Sequence, residues 1–156
     1  MSNADNVLYS CSIFLDLSKA FDTVNHNVLF DKFYHNFGIR GILLQLFRSY
    51  LSNRKQFIKL ENLQIGLVDI SNGVPQESVL GPLLFITYIN DLPKSSAFYT
   101  VLYADDAYLC LSHKNLDNWQ HVVNVDLIKV ENWLRSNKLS LKLLQINIYA
   151  YIFEKQ

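Results

Sequence analysis

Two carboxylates with no residue between them, Asp105 and Asp106, close the tetrapeptide Tyr103-Ala104-Asp105-Asp106. Apolar, β-prone runs flank them at residues 98–102 and 107–111, so the spacing predicts two strands joined by a tight hairpin with both aspartates at its tip. Like charges this close repel one another, and a divalent cation held among them removes that cost. An Asp-Asp turn is also a common solvated feature. Its meaning depends on what the rest of the chain supplies.

A third carboxylate is available. Residues 12–17 read as a strand with Asp16 near its end, inside Phe14-Leu15-Asp16-Leu17-Ser18-Lys19-Ala20-Phe21-Asp22-Thr23-Val24. One aspartate on this strand and others on a neighbouring hairpin form the kind of donor set that two-metal phosphoryl transfer uses. A further block, Ser71-Asn72-Gly73-Val74-Pro75-Gln76-Glu77-Ser78-Val79-Leu80-Gly81-Pro82-Leu83-Leu84-Phe85, is rich in turn residues and runs into an apolar helix.

The elements that must hold these residues are legible as periodicities. Val28, Leu29, Phe33 and Phe37 recur at helical spacing from about Asn25, with Gly38 as a stop. Ile42, Leu43, Leu46, Phe47, Tyr50 and Leu51 mark a second amphipathic helix, ended at Ser52-Asn53-Arg54. Residues 56–60 and 64–70 read as strands joined by a Glu61-Asn62 turn. The Gly73–Gln76 loop leads into a helix that ends near Asn90-Asp91-Leu92-Pro93. Trp119, Val122, Val123, Asp126, Leu127, Val130, Trp133 and Leu134 lie along one long helix, and that stripe makes both tryptophans core residues. Residues 139–153 are apolar and β-prone. Helices alternating with mainly antiparallel strands define the α+β class.

Composition narrows the field. A chain of 156 residues suggests one domain, and a hydrophobic fraction of 50% argues against disorder. Lys plus Arg and Asp plus Glu number 14 each, a balance that predicts weak nucleic-acid binding unless basic groups gather on one face. Cys11 and Cys110 sit in predicted strands and read as reduced, buried residues. The four histidines show no metal-ligand spacing. Residues 1–6 carry no leader pattern, and the longest uncharged run, residues 78–90, falls short of the roughly 18–20 a bilayer span needs. A soluble, intracellular setting without membrane contact is expected.

In order, the three blocks resemble the palm of a reverse transcriptase, most of all that of the jockey-like or LINE-class mobile elements that lack terminal repeats. The resemblance covers residues 8–153. It implies an RNA-directed DNA polymerase using an RNA template, a DNA primer and deoxynucleoside triphosphates. It implies two Mg²⁺ ions, or Mn²⁺, on Asp16, Asp105 and Asp106, with Asp105 the more direct ligand and Asp106 supporting it. The ions would activate the primer 3′-hydroxyl and stabilise the departing pyrophosphate. Phe21 takes the place of the aromatic gate under the incoming sugar. Lys19 and Ala20 match the backbone that meets the triphosphate, and Gln76 matches the glutamine that touches the nucleotide, its loop shaped by Gly73 and Pro75. Asp22 reads as a helix-start aspartate. Where the family has Gly after Pro-Gln this chain has Glu77, Lys142 replaces an expected Asn, and Gln145 stands where a phosphate-contacting Lys falls. The family's upstream fingers and downstream thumb are expected outside these residues. An inactive, truncated remnant that binds a metal or a partner is the alternative. A metal-dependent nuclease fits less well, because no general base accompanies the carboxylates.

Overall fold

The computed structural model describes residues 7–60, 63–141 and 147–154. The expected Glu61-Asn62 turn, Lys142 and Gln145 lie outside the described residues. Where length alone suggests one domain, contacts gather in two compact units, one formed by Met1–Ser18 with Ile89–Gln156 and the other by Lys19–Tyr88.

The first unit is built on a four-stranded antiparallel sheet in the order β4-β5-β1-β6, where β1 is Val7–Asp16, β4 Tyr99–Tyr103, β5 Asp106–His113 and β6 Asn147–Glu154. Strand alternation sorts the side chains by face. Cys11, Ile13 and Leu15 of β1 and Ala107, Leu109 and Leu111 of β5 are buried on one side. A long helix, Leu116–Ser136 (α5 in chain order), packs against β5 and contributes Val130 and Leu134 to the core. Asn115 caps its start by accepting from Asn118 N at 3.0 Å. Its end is a Schellman turn: Lys138 N donates to Arg135 O and Leu139 N to Leu134 O, with Lys138 at φ 54° in the position glycine usually fills. That turn delivers Ser140 and Leu141 to the end of β1, where Ser18 N donates to Ser140 O at 2.8 Å and Leu17 bridges Leu141. Aromatic rings line the other face, with Phe14 4.9 Å from Tyr108 and 6.0 Å from Tyr149, centroid to centroid.

The second unit begins with a short helix, α1 (Ala20–Thr23), earlier than the expected start at Asn25. Helix α2 (His26–His35) is capped by Asn25, whose side-chain oxygen accepts from Val28 N, and packs on α3 (Gly41–Leu51). Strands β2 (Arg54–Leu60) and β3 (Leu63–Ile70) form a hairpin with an irregularity between Gln56 and Ile58. Helix α4 (Leu80–Ile89) is apolar all round, and Leu84, Phe85 and Tyr88 are fully buried. The buried Lys32 amine donates to the Tyr88 carbonyl at 2.5 Å, satisfying one of the carbonyls a helix end leaves free. Among the described residues, no helix is long and apolar enough to cross a membrane.

Candidate active site

The residues singled out above fall into two groups, one in each unit. In the first, β1 and β5 pair in a register that sets Asp16 directly opposite Asp106. Residues facing each other across an antiparallel ladder hold their Cβ atoms roughly 4.5–5.5 Å apart on one face. The two carboxylates therefore stand beside Phe14, Tyr103 and Tyr108 around a hollow of about 370 Å³. The hairpin is tighter than expected. Tyr103 pairs with Asp106, so only Ala104 and Asp105 form the turn, and Asp106 is the first residue of its strand rather than part of the tip. A two-residue loop needs a positive φ to match the strand twist, and Ala104 takes it at 51°. That conformation is strained for a side chain with a Cβ. Asp105 is half-buried in the turn, and its carbonyl accepts from Leu17 N at 3.4 Å, tying the turn to the end of β1.

As a donor set, three carboxylates suit a hard cation such as Mg²⁺ or Mn²⁺. Among the described residues, no group of three or more His, Cys, Asp or Glu forms a ready-made metal cage. Mg²⁺ does not require one, because it typically keeps several waters and binds through one or two carboxylates plus substrate phosphates. Like charges opposed across a ladder destabilise a sheet, and a cation shared by them reverses the sign of that contact.

In the second unit the backbone around α1 and the loop after β3 are fastened together. Val74 N donates to Phe21 O at 2.8 Å and Gly73 N to Val24 O at 2.7 Å. His26 Nε2 donates to Gly73 O at 2.7 Å, and Asn25 Nδ2 donates to Asn72 Oδ1 at 3.2 Å. Gly73 is dictated by this contact: its φ is +87°, and a Cβ there would lie 2.8 Å from the Asp22 carbonyl oxygen. Lys19 sits at φ 48°, ψ 42° with its side chain exposed, and Ala20 is buried. The half-buried Phe21 ring packs 4.8 Å from Phe85. Gln76 is exposed, and its Nε2 donates to Asp22 Oδ1 at 2.7 Å. Ser78 bonds the Pro75 carbonyl and accepts from Gly81 N, closing the turn into α4. Between β2 and the loop opens a cleft of about 710 Å³ lined by Lys19, Asp22, Arg54, Gln56, Asn72 and Gln76. Asp22 lies in the first turn of α1, as expected of a helix-start aspartate; it does not cap the helix, and its carboxylate also accepts from Gln76. Nothing in the local sequence signals that contact, which spans 54 positions. Arg54 and Asn72 were missed for the same reason.

The architecture is the α+β fold of a polymerase palm. It superposes on telomerase from Candida tropicalis truncated from its C-terminal domain, with a TM-score of 0.67 and 18% identity over 97% of this chain and 32% of that one. Telomerase from Candida albicans gives 0.64 and 14%, over 90% and 27%. The family model for reverse transcriptase (RNA-dependent DNA polymerase) matches residues 2–150, and the chain belongs to that family. It is 34% identical over 118 residues to the probable RNA-directed DNA polymerase from transposon BS of Drosophila melanogaster, covering 69% of this chain. It is 30% identical over 120 residues to the RNA-directed DNA polymerase from mobile element jockey of the same fly, covering 72% of this chain. The chain spans 13% of the length of each of these relatives. Reverse transcriptases generally work with divalent metal ions.

Proposed function

We propose that this chain is the palm of a mobile-element RNA-directed DNA polymerase, which extends a DNA primer with deoxynucleotides on an RNA template. The observation that carries the reading is the register that sets Asp16 against Asp106 beside the strained Ala104-Asp105 turn. Asp16, Asp105 and Asp106 are the residues that hold Mg²⁺ or Mn²⁺. When bound, two such ions activate the primer hydroxyl and neutralise charge on the departing pyrophosphate. The chain's own part is to fix these carboxylates on paired strands and a two-residue turn, so that little reorganisation accompanies the reaction. The Lys19-Ala20 backbone meets the triphosphate, the Phe21 ring lies under the sugar, and Gln76 hydrogen-bonds the nucleotide. Nucleic acid binds this stretch weakly by itself, since its formal net charge is +0. Work on RNA and nucleotides belongs inside the cell.

A second reading, a fold that binds metal or a partner without turnover, is favoured by one observation. Glu77 holds a left-handed φ of 56° next to Gln76 and puts a carboxylate near the proposed triphosphate. The test is to exchange these 156 residues into a jockey-type polymerase and measure Mg²⁺-dependent primer extension on RNA. Extension is expected, with a loss of at least about a hundredfold in Asp16→Asn and in Asp106→Asn. Extension indifferent to both changes would overturn the reading. A chimera that holds primer and template yet extends nothing, even after Glu77→Gly, would establish the second.

A further inference from the structure

We propose that Asp22 is a positioning residue that fixes which way the Gln76 amide faces. The proposal rests on the nucleotide-contacting role given to Gln76 above. A carboxylate only accepts hydrogen bonds, whereas a carboxamide carries a donor end and an acceptor end of nearly equal shape. With Nε2 donating to Asp22 Oδ1 at 2.7 Å, the amide cannot turn over without setting two acceptors against each other. Oε1 is therefore directed away from Asp22, as an acceptor for a ligand's hydroxyl or N–H. An unanchored glutamine would divide its time between the two orientations.

The backbone makes the pair dependable. Asp22 N donates to Lys19 O at 2.9 Å, and Phe21 O, just before Asp22, accepts from Val74 N of the Gln76 loop. Gly73 packs so closely on the Asp22 backbone that even a methyl group would displace it. Both side chains thus spring from one cross-linked piece of main chain. They lie on the wall of the 710 Å³ cleft, which also carries Lys19, Arg54 and Lys55. Lys55 shares its charge with Asp69 at 3.8 Å, while Lys19 and Arg54 bring positive charge that attracts a phosphate-bearing ligand. The oriented amide then favours a ligand that offers a donor beside its phosphates, as the sugar hydroxyl and base N–H of a nucleotide do.

The experiment uses the whole chain with ¹⁵N-labelled glutamine side chains and Mg²⁺–dTTP as probe. The Gln76 amide signal, identified by its loss in Gln76→Ala, is expected to lie downfield in the native protein. It should move to the position of a solvated amide in Asp22→Ala. Nucleotide affinity should fall by about five- to tenfold in Asp22→Ala and in Gln76→Ala, the effect of one hydrogen-bonding group. Asp22→Asn, which can accept but no longer forbids the flip, should fall between. Unchanged melting temperatures would show that the fold is intact. If Gln76→Ala weakens binding while Asp22→Ala alters neither affinity nor the amide signal, the positioning role is overturned and the nucleotide reading stands. If Gln76→Ala leaves affinity untouched, or the native chain binds no nucleotide, the reading beneath it fails as well.

Discussion

At the scale of single residues, three of the five described non-glycine residues with positive φ lie beside groups assigned chemistry. Lys19, Glu77 and Ala104 have φ values of 48°, 56° and 51°. A left-handed conformation costs a residue with a Cβ roughly 1–2 kcal/mol, and glycine escapes this while giving back about 0.4–1 kcal/mol through its freer unfolded state. Glu77→Gly is therefore expected to stabilise the chain by about 0.5–1 kcal/mol in urea unfolding; a loss of stability would show that the Glu77 side chain makes a compensating contact. The opposed carboxylates make a second prediction. Without divalent metal, Asp106→Asn removes a like-charge contact and should add several tenths of a kcal/mol. With Mg²⁺ the order reverses, because the native chain gains binding energy that Asp106→Asn lacks. Melting temperatures with EDTA and with Mg²⁺ decide it, and equal Mg²⁺ responses would end the argument for a site there. The thiols offer a third. Burial pushes the Cys11 thiol up, whereas Cys110 lies on the more open face of the sheet and is half-buried. Alkylation at pH 8 should mark Cys110 first and Cys11 only on unfolding.

At the scale of elements, what could be read beforehand was whatever repeats locally. The stripe from Trp119 to Leu134 foretold α5, and the apolar runs around Tyr103 foretold β4 and β5. Strand β1 starts at Val7 rather than at Ser12, because Tyr9 and Ser10 look indifferent until β5 and β6 supply partners on both sides. Helix α1 has only four residues, too few for any period to register. The site shows the same division. The three aspartates were conspicuous as residue types, but the one that opposes Asp16 is a matter of register, which depends on the two-residue turn. The Asp22–Gln76 bond and the pairing of Asn25 with Asn72 join segments far apart in sequence, so composition and spacing are silent about them. The loop before α4 gives an element-scale prediction. A Cβ on Gly81 would fall 2.3 Å from the Pro75 carbonyl oxygen. Gly81→Ala should cost more than about 2 kcal/mol, as overpacking against rigid backbone does, and an unchanged denaturation midpoint would mean the turn can open.

At the scale of the whole molecule, residues 1–156 alone are expected to show no measurable primer extension. Metal activation supplies only part of the rate. Holding two reacting groups in attack geometry contributes about 7–11 kcal/mol in well-oriented systems, and this stretch amounts to 13% of its relatives' length. Mg²⁺-dependent incorporation by the purified chain, abolished in Asp105→Asn, would show that it positions its substrates unaided. The interrupted makeup of the first unit bears on how the chain is made. Strand β1 is central in its sheet, yet Tyr108 of the neighbouring β5, whose hydroxyl hydrogen-bonds the Ser12 hydroxyl, follows Ser12 by 96 residues. At a synthesis rate of about 5–20 residues per second, an apolar strand with both edges unsatisfied waits roughly 5–20 s on the ribosome while Lys19–Tyr88 emerges complete. During that interval β1 is a template for any other strand, including its own counterpart on the next ribosome of the same message. Slower translation beyond residue 88 should raise the aggregated fraction, and a chaperone that shields extended apolar segments should lower it.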